Sequence, residues 1–232
     1  MCIKILTALI LSTGLTLSGY FISDGLTEAR KNSRFVEVKG LAERIVKSNE
    51  AVWSINFKIV NEQLPELYKN IDESQNKVKQ FLIKQGFKDN EISTNSITVT
   101  DNHSVSYNQN DVLARFAADA GLTVSTNDVD KVQDILQKTG DLVQQGIVVT
   151  TSTAMYRFSK LNTIKPAMLD EATANACEAA NSFAKNAHAK LGYIRRAMQG
   201  LFSINDANSS YDSGNAIMKK VRVVTTVEYQ LQ

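Results

Sequence analysis

Few residues in this chain are of a type and spacing that could do chemistry. There are two histidines, His103 and His188, and two cysteines, Cys2 and Cys177. His103 lies in a polar stretch and His188 among small residues. Neither has a partner at the spacing that acid–base catalysis or a zinc site needs, so solvated surface histidines account for both. A lysine or arginine beside Cys177 would make its thiol reactive, but its neighbours are Ala176 and Glu178, and the acid works against a thiolate. A small packed residue explains Cys177 more simply, with an interchain disulfide as the alternative. Asp170 and Glu171 are adjacent on a helical pattern and point to different sides, which is wrong for an acid–base pair. In the first turns of a helix they would favour its dipole.

Known catalytic patterns are missing. The chain has no C-x-x-C, H-E-x-x-H, G-x-S-x-G, P-loop lysine or G-x-G-x-x-G motif. The expectation is therefore no catalytic residues, no cofactor-binding residues, no metal ligands, and a protein that is not an enzyme. Two features are left for binding. Lys219, Lys220 and Arg222 form the tight basic cluster of the body. They are read either as charges guarding a strand edge or as a site for anionic lipid or polysaccharide. The segments 101–111 and 204–216 are Asn/Ser-rich loops carrying Tyr107 and Tyr211. A lone tyrosine in such a loop suits a contact surface, and a solvated hairpin loop is the plainer alternative.

The elements that must position these residues divide the 232-residue chain into three parts. Ile5 to Ile22 is a run of 18 uncharged residues after Lys4, so 1–22 reads as a signal-anchor or signal peptide. No A-x-A site follows, and the apolar run continues through Tyr20, Phe21 and Ile22, which favours an uncleaved anchor. Residues 23–34 read as a polar linker, and 35–232 as the folded body. Taken literally, Arg30, Lys31 and Arg34 after the span would hold the body in the cytoplasm. Long domains cross largely regardless of charge, however, so an exported body on a membrane tether is expected. Beyond residue 34 there are 22 basic and 22 acidic residues, and this neutrality argues against a nucleic-acid partner.

Within the body, 35–40 and 51–60 read as strands that form a hairpin or bulged pair. Residues 62–85 carry Leu64, Leu67, Ile71, Val78 and Leu82 at helical spacing, with Gly86 placed for a left-handed cap. Two strands follow at about 92–106 and 112–126, then a helix capped by Asn127-Asp128 and a strand at 146–158. The longest helix takes Pro166 in its first turn. It carries Leu169, Ala172, Ala176, Ala180, Phe183, Ala187 and Leu191 on one stripe. So many alanines predict a helix lying tightly on a sheet. The last strands are 192–205 and 218–232, with Val221, Val223, Thr225, Val227, Tyr229 and Leu231 on one face. The predicted fold is α+β: two βαββ-like lobes with mainly antiparallel sheets packed by helices, plus an N-terminal hydrophobic helix.

Taken together, VEVKGLAERIVKSNEAVWSINF, ISTNSITV, YRFSKLN leading into PAMLDEATANACEAANSFAKNAHAKLG, GLFSIN and KKVRVVTTVEYQL resemble the SIMPL domain family. The likeness spans about 35–232 and rests on the order of the segments. It is closest to bacterial envelope members with an N-terminal signal or signal-anchor. The resemblance implies an α+β fold, a periplasmic or membrane-associated location, self-assembly into homo-oligomers, and links to envelope and oxidative-stress defence. It carries over no catalytic residue and names no small-molecule ligand. The expected location is the bacterial inner membrane with the body in the periplasm, or a cleaved and soluble periplasmic protein. An adaptor or binding module for an envelope ligand or protein partner is the alternative function. Strand edges such as 221–231 offer a physical route to assembly.

Overall fold

The computed structural model describes residues 12–25, 34–105 and 114–232. Helix α1 (12–25) is exposed along its length. The rest of the predicted span, most of the predicted linker, and Tyr107 lie outside the described residues. Among the described residues no helix is long and apolar enough to cross a membrane.

The body divides into two compact units; the divide falls within a strand at 44/45, 203/204 and 221/222, and at the start of a helix at 161/162. The larger unit, 45–161 with 204–221, holds β2 (Glu50–Asn61), α2 (Leu64–Lys84), β3 (Ile92–Thr94), β4 (Thr98–Asp101), α3 (Asn102–Val105), β5 (Phe116–Thr126), α4 (Val129–Leu136), α5 (Gly140–Gln144) and β6 (Val148–Arg157). Its sheet runs β3-β5-β2-β6, with β4 also on β5. β2 is antiparallel to both neighbours, from Ala51 opposite Thr126 on one side and Tyr156 on the other. Alternation sends Trp53, Ile55 and Phe57 to one face, where they are fully buried under α2. Helix α2 brings Leu67, Ile71, Val78, Phe81 and Leu82, the expected stripe with Phe81 in place of Leu64. It ends as predicted: Gly86 has φ +91° and donates to Ile83 O, while Phe87 N donates to Leu82 O. Asp128 caps α4 by accepting from Lys131 N at 3.2 Å.

The smaller unit, 12–25 and 34–44 with 162–203 and 222–232 among the described residues, holds α1, most of β1 (Phe35–Lys47), nearly all of α6 (Leu161–Asn186), β7 (Leu191–Gln199) and most of β9 (Met218–Leu231). The sheet order is β1-β9-β7, with the short β8 (Ser203–Asp206) also on β9. Helix α6 buries Met168, Ala172, Ala176, Ala180 and Ala184. The predicted close approach is present: a Cβ on Gly40 of β1 would stand 1.8 Å from the Ala172 carbonyl oxygen.

Several expectations are corrected. Strands β1 and β2 do not pair with each other. β1 lies beside β9, whereas β2 takes β5 and β6 on its two sides, as its buried apolar face requires. The strand at 148–157 therefore belongs to the first sheet, and the second βαββ lobe does not exist as drawn. What stands is a mixed α+β fold with antiparallel sheets and helices. The predicted 92–106 strand is broken after Thr94, where Asn95 N donates to Gly121 O and its amide turns to Asn56 Oδ1. Helix α6 starts at Leu161, so Pro166 sits inside it. It also stops at Asn186, short of Gly192. His188 takes the left-handed conformation at φ +52°, and Ala189 N donates to Ala184 O. Of the predicted α6 stripe, Phe183 and Ala187 are exposed, and burial follows a spacing of four through Ala184 instead.

Candidate functional site

The densest polar cluster is built where β8 turns back to β9. Along β9, alternation puts Lys219 on the buried side with Val221 and Val223, and Lys220 and Arg222 on the other. Lys219 is fully buried. Its ammonium donates to Asp206 Oδ1 at 2.6 Å and to Asp212 Oδ1 at 2.7 Å. The other Asp206 oxygen accepts from the Ser213 backbone N–H at 3.0 Å and from its hydroxyl. A buried ammonium is tolerable only with such partners, since its desolvation costs several kcal/mol. Hydrogen bonds from Lys219 and then Ser213 hold the Asp206 carboxyl far below the usual carboxylate range. Burial works against the charged Lys219, but its bonds to Asp206 and Asp212 outweigh that and raise it above its ordinary value.

The loop between these strands is braced from several sides. Asp206 N donates to Tyr211 O at 3.2 Å, Tyr211 N to Ser209 Oγ at 3.2 Å, and the Asn205 amide to Ser210 O at 3.0 Å. Gly214, at φ +80°, accepts from Tyr156 N at 2.6 Å, which ties the loop to the edge of β6. Tyr211 is nonetheless 66% exposed. A rigid loop thus displays one aromatic ring. Beside it is a groove of about 610 Å³ lined by Lys47, Asp130, Gln133, Asn208, Ser209 and Met218, among others. Lys47 and Asp130 close an ion pair at its rim at 2.5 Å.

The other candidates fall elsewhere. The basic cluster is split by the strand: Lys219 is consumed internally and Arg222 pairs with Glu43 at 3.2 Å, so it offers no three-cation site. Cys177 is half-buried on α6, with the Asn181 amide 3.6 Å from its sulfur, over a shallow concavity of about 490 Å³. Burial first, and then the Cys177 contact, push the Tyr229 hydroxyl up. His103 and His188 are both exposed, one in α3 of the larger unit and the other just past the end of α6 in the smaller unit. Asp170 and Glu171 are in the third turn of α6 because the helix begins earlier, and Glu171 pairs with Arg44 at 3.3 Å. No group of three or more metal-ligating side chains is assembled among the described residues.

A second surface emerges at the edge of the smaller unit. β9, named above as an assembly edge, is the interior strand, because both of its sides are paired. The exposed edge is β7. Every residue from Tyr193 to Gln199 is exposed, Tyr193 at 62%, Ile194 at 48% and Met198 at 46%. Leu201, just past the strand, is 95% exposed. The sequence shows β7 as a strand but not its neighbours. The partners of Lys219 were equally hidden, since Asp206 and Asp212 come from an apparently solvated loop.

A comparison with curated proteins gave no match. Residues 36–229 match the family described as SIMPL, a protein of unknown function (DUF541). That match covers nearly the whole body and the same span as the resemblance read from the sequence, so the chain belongs to the SIMPL family.

Proposed function

We propose that this is a non-enzymatic protein of the bacterial envelope whose SIMPL domain self-associates through β7. The N-terminal apolar stretch tethers it, the body lies in the periplasm, and its role is in envelope or oxidative-stress defence. The observation that carries the reading is the state of β7. It is a nine-residue edge strand with apolar side chains exposed on it, and Leu201 stands almost bare beside it. Unpaired backbone groups on such an edge are a ready template for another strand, and burial of the apolar side chains adds to the gain. Envelope location, tethering and the stress role rest on the resemblance and on the Ile5–Ile22 pattern.

Light scattering behind a sizing column, on the purified full chain, tests the reading. A discrete species of two or more subunits, little changed by moderate salt, is expected of an interface made by backbone and apolar groups. A monomer at tens of micromolar would refute it.

A second reading is favoured by one specific observation, the braced loop at 205–216. Preorganised loops rich in Ser, Asn and Gly around an exposed tyrosine suit recognition, because little ordering remains to be done on binding. A binding or adaptor module for an envelope ligand or protein would use Tyr211 as its anchor. If Tyr211→Ala leaves every pull-down partner of the full chain in place, that reading fails.

A further inference from the structure

We infer that Met155 is an oxidation site: a hydroperoxide that turns its thioether into the sulfoxide releases the 205–216 loop from the edge of β6. The inference stands apart from self-association through β7 and is tested without it.

Three observations converge on this side chain. The first is access. Alternation along β6 buries Ala154 and Tyr156 and puts Met155 on the other face, where it is 51% exposed. Met198 and Met218 are also exposed, whereas Met168 of α6 is fully buried. An open thioether meets a small dissolved oxidant directly, and a buried one does not.

The second is position. A Cβ on Gly214 would stand 3.2 Å from Met155 Cε and 3.7 Å from its Cγ. These are the two carbons bonded to the sulfur, so the thioether lies along the loop at Gly214, which is itself buried. Met198 stands opposite Thr226 in the smaller unit. Met218 meets the loop through its backbone, where its carbonyl accepts from Ala207 N at 2.9 Å.

The third is what Gly214 holds. Its carbonyl accepts from Tyr156 N at 2.6 Å, the bond that ties the loop to β6. Its own N–H donates at 2.9 Å to Asp212 Oδ1, the oxygen that takes the Lys219 ammonium at 2.7 Å. Met155 thus covers the residue that joins the loop both to the sheet and to the buried ion pair.

The chemistry is a two-electron transfer. A sulfur lone pair attacks one peroxide oxygen, the O–O bond breaks and an S–O bond forms. With the proton, the other oxygen leaves as an alcohol, or as water when the oxidant is hydrogen peroxide. Sulfur is oxidised and the peroxide reduced by the same two electrons. The product is polar where the thioether was apolar, and reductases restore it, so the change is reversible. A polar oxygen held against Gly214 without a donor is costly, so the side chain turns to water and uncovers the Tyr156–Gly214 bond.

The test treats the full chain with hydrogen peroxide, with Cys2 and Cys177 replaced by serine because thiols also react. Mass mapping reads each methionine, and amide hydrogen exchange reads the loop. Met155 is expected to gain one oxygen while Met168 stays unmodified. The Tyr156 and Gly214 amides are then expected to exchange about tenfold faster or more. Met155→Leu, a volume-conserving change, should keep their protection through the same treatment. The double variant Met198→Leu, Met218→Leu should lose it as the parent does, and it decides the matter alone if Met155→Leu fails to fold. The inference is overturned if Met155 reacts no faster than Met168, or if oxidised Met155 leaves Tyr156 and Gly214 protected. A folded Met155→Leu chain that loses protection as fully as the parent overturns it too.

Discussion

The Lys219 ammonium lies 2.6 Å from Asp206 Oδ1, with no part of the lysine open to solvent. Removing one partner of a buried pair leaves an uncompensated charge, and such changes cost about 3–5 kcal/mol. Lys219→Met is therefore expected to destabilise the chain by about that amount. Trp53, the single tryptophan, is fully buried, so denaturant unfolding followed by its fluorescence checks the value. A loss under about 1 kcal/mol would mean that the pair is held no more tightly than a surface salt bridge.

The same pair fixes the sign of a pH effect. Asp206 is depressed by its bonds to Lys219 and Ser213, so its contribution is fully present above the ordinary aspartate value. It is shed progressively as pH falls below about 4 towards the folded value. Lys219 is raised, so its contribution persists through neutral pH and is lost only as pH rises through its folded value, above about 10.5. Stability of Asp206→Asn is expected to fall less steeply between pH 4 and pH 2 than that of the parent chain, by the usual linkage of protonation to unfolding. Parallel acid profiles would contradict this.

Gly40 has no room for a methyl group, because the Ala172 carbonyl oxygen and the Ala176 nitrogen would be 1.8 and 2.5 Å away. Both contacts are helix backbone and can move only if α6 lifts from β1. Gly40→Ala is expected to cost about 3 kcal/mol, at the upper end of overpacking effects. Gly140→Ala serves as the control, since a Cβ there meets nothing within 4 Å. Thermal melts of the two variants would separate them by several degrees.

His188 occupies the left-handed position that closes α6, where a side chain costs about 1–2 kcal/mol and glycine costs none. Part of that gain is offset by glycine's greater freedom in the unfolded chain. His188→Gly is expected to raise stability by about 0.5–1 kcal/mol. A fall in melting temperature would show that the imidazole makes a contact that outweighs its strain.

The sequence was most readable where a local rule had no competitor. Gly86 after an apolar stripe can only be a left-handed cap, and Asp128 before Val129 is a cap by chemistry. The alanines at 172, 176 and 180 announce a helix pressed on a sheet. Reading failed where the answer lay with a distant partner. The pattern of β6 is strand-like in either sheet, and only the buried faces of β2 and β5 decide which one it joins. β9 alternates as cleanly inside a sheet as at an edge, so its sequence could not reveal the strands on both sides. Lys219, Lys220 and Arg222 look like one cluster until the period of two sends Lys219 inward. Its acceptors are 13 and 7 residues away, in a loop whose composition suggests only solvent.

The most direct test of the central claim is the absolute mass in solution of the full chain beside its Ala197→Pro variant. Gly200 N donates to Val224 O, so by alternation the Ala197 N–H points away from β9. A proline there removes an outward N–H that β9 does not use, and proline is tolerated at such edge positions. The sheet should therefore persist, and far-ultraviolet circular dichroism should be unchanged. The account predicts a discrete oligomer for the parent chain and a smaller species, down to the monomer if β7 is the sole contact, for the variant. A monomeric parent chain, or a folded variant of unchanged mass, would contradict it.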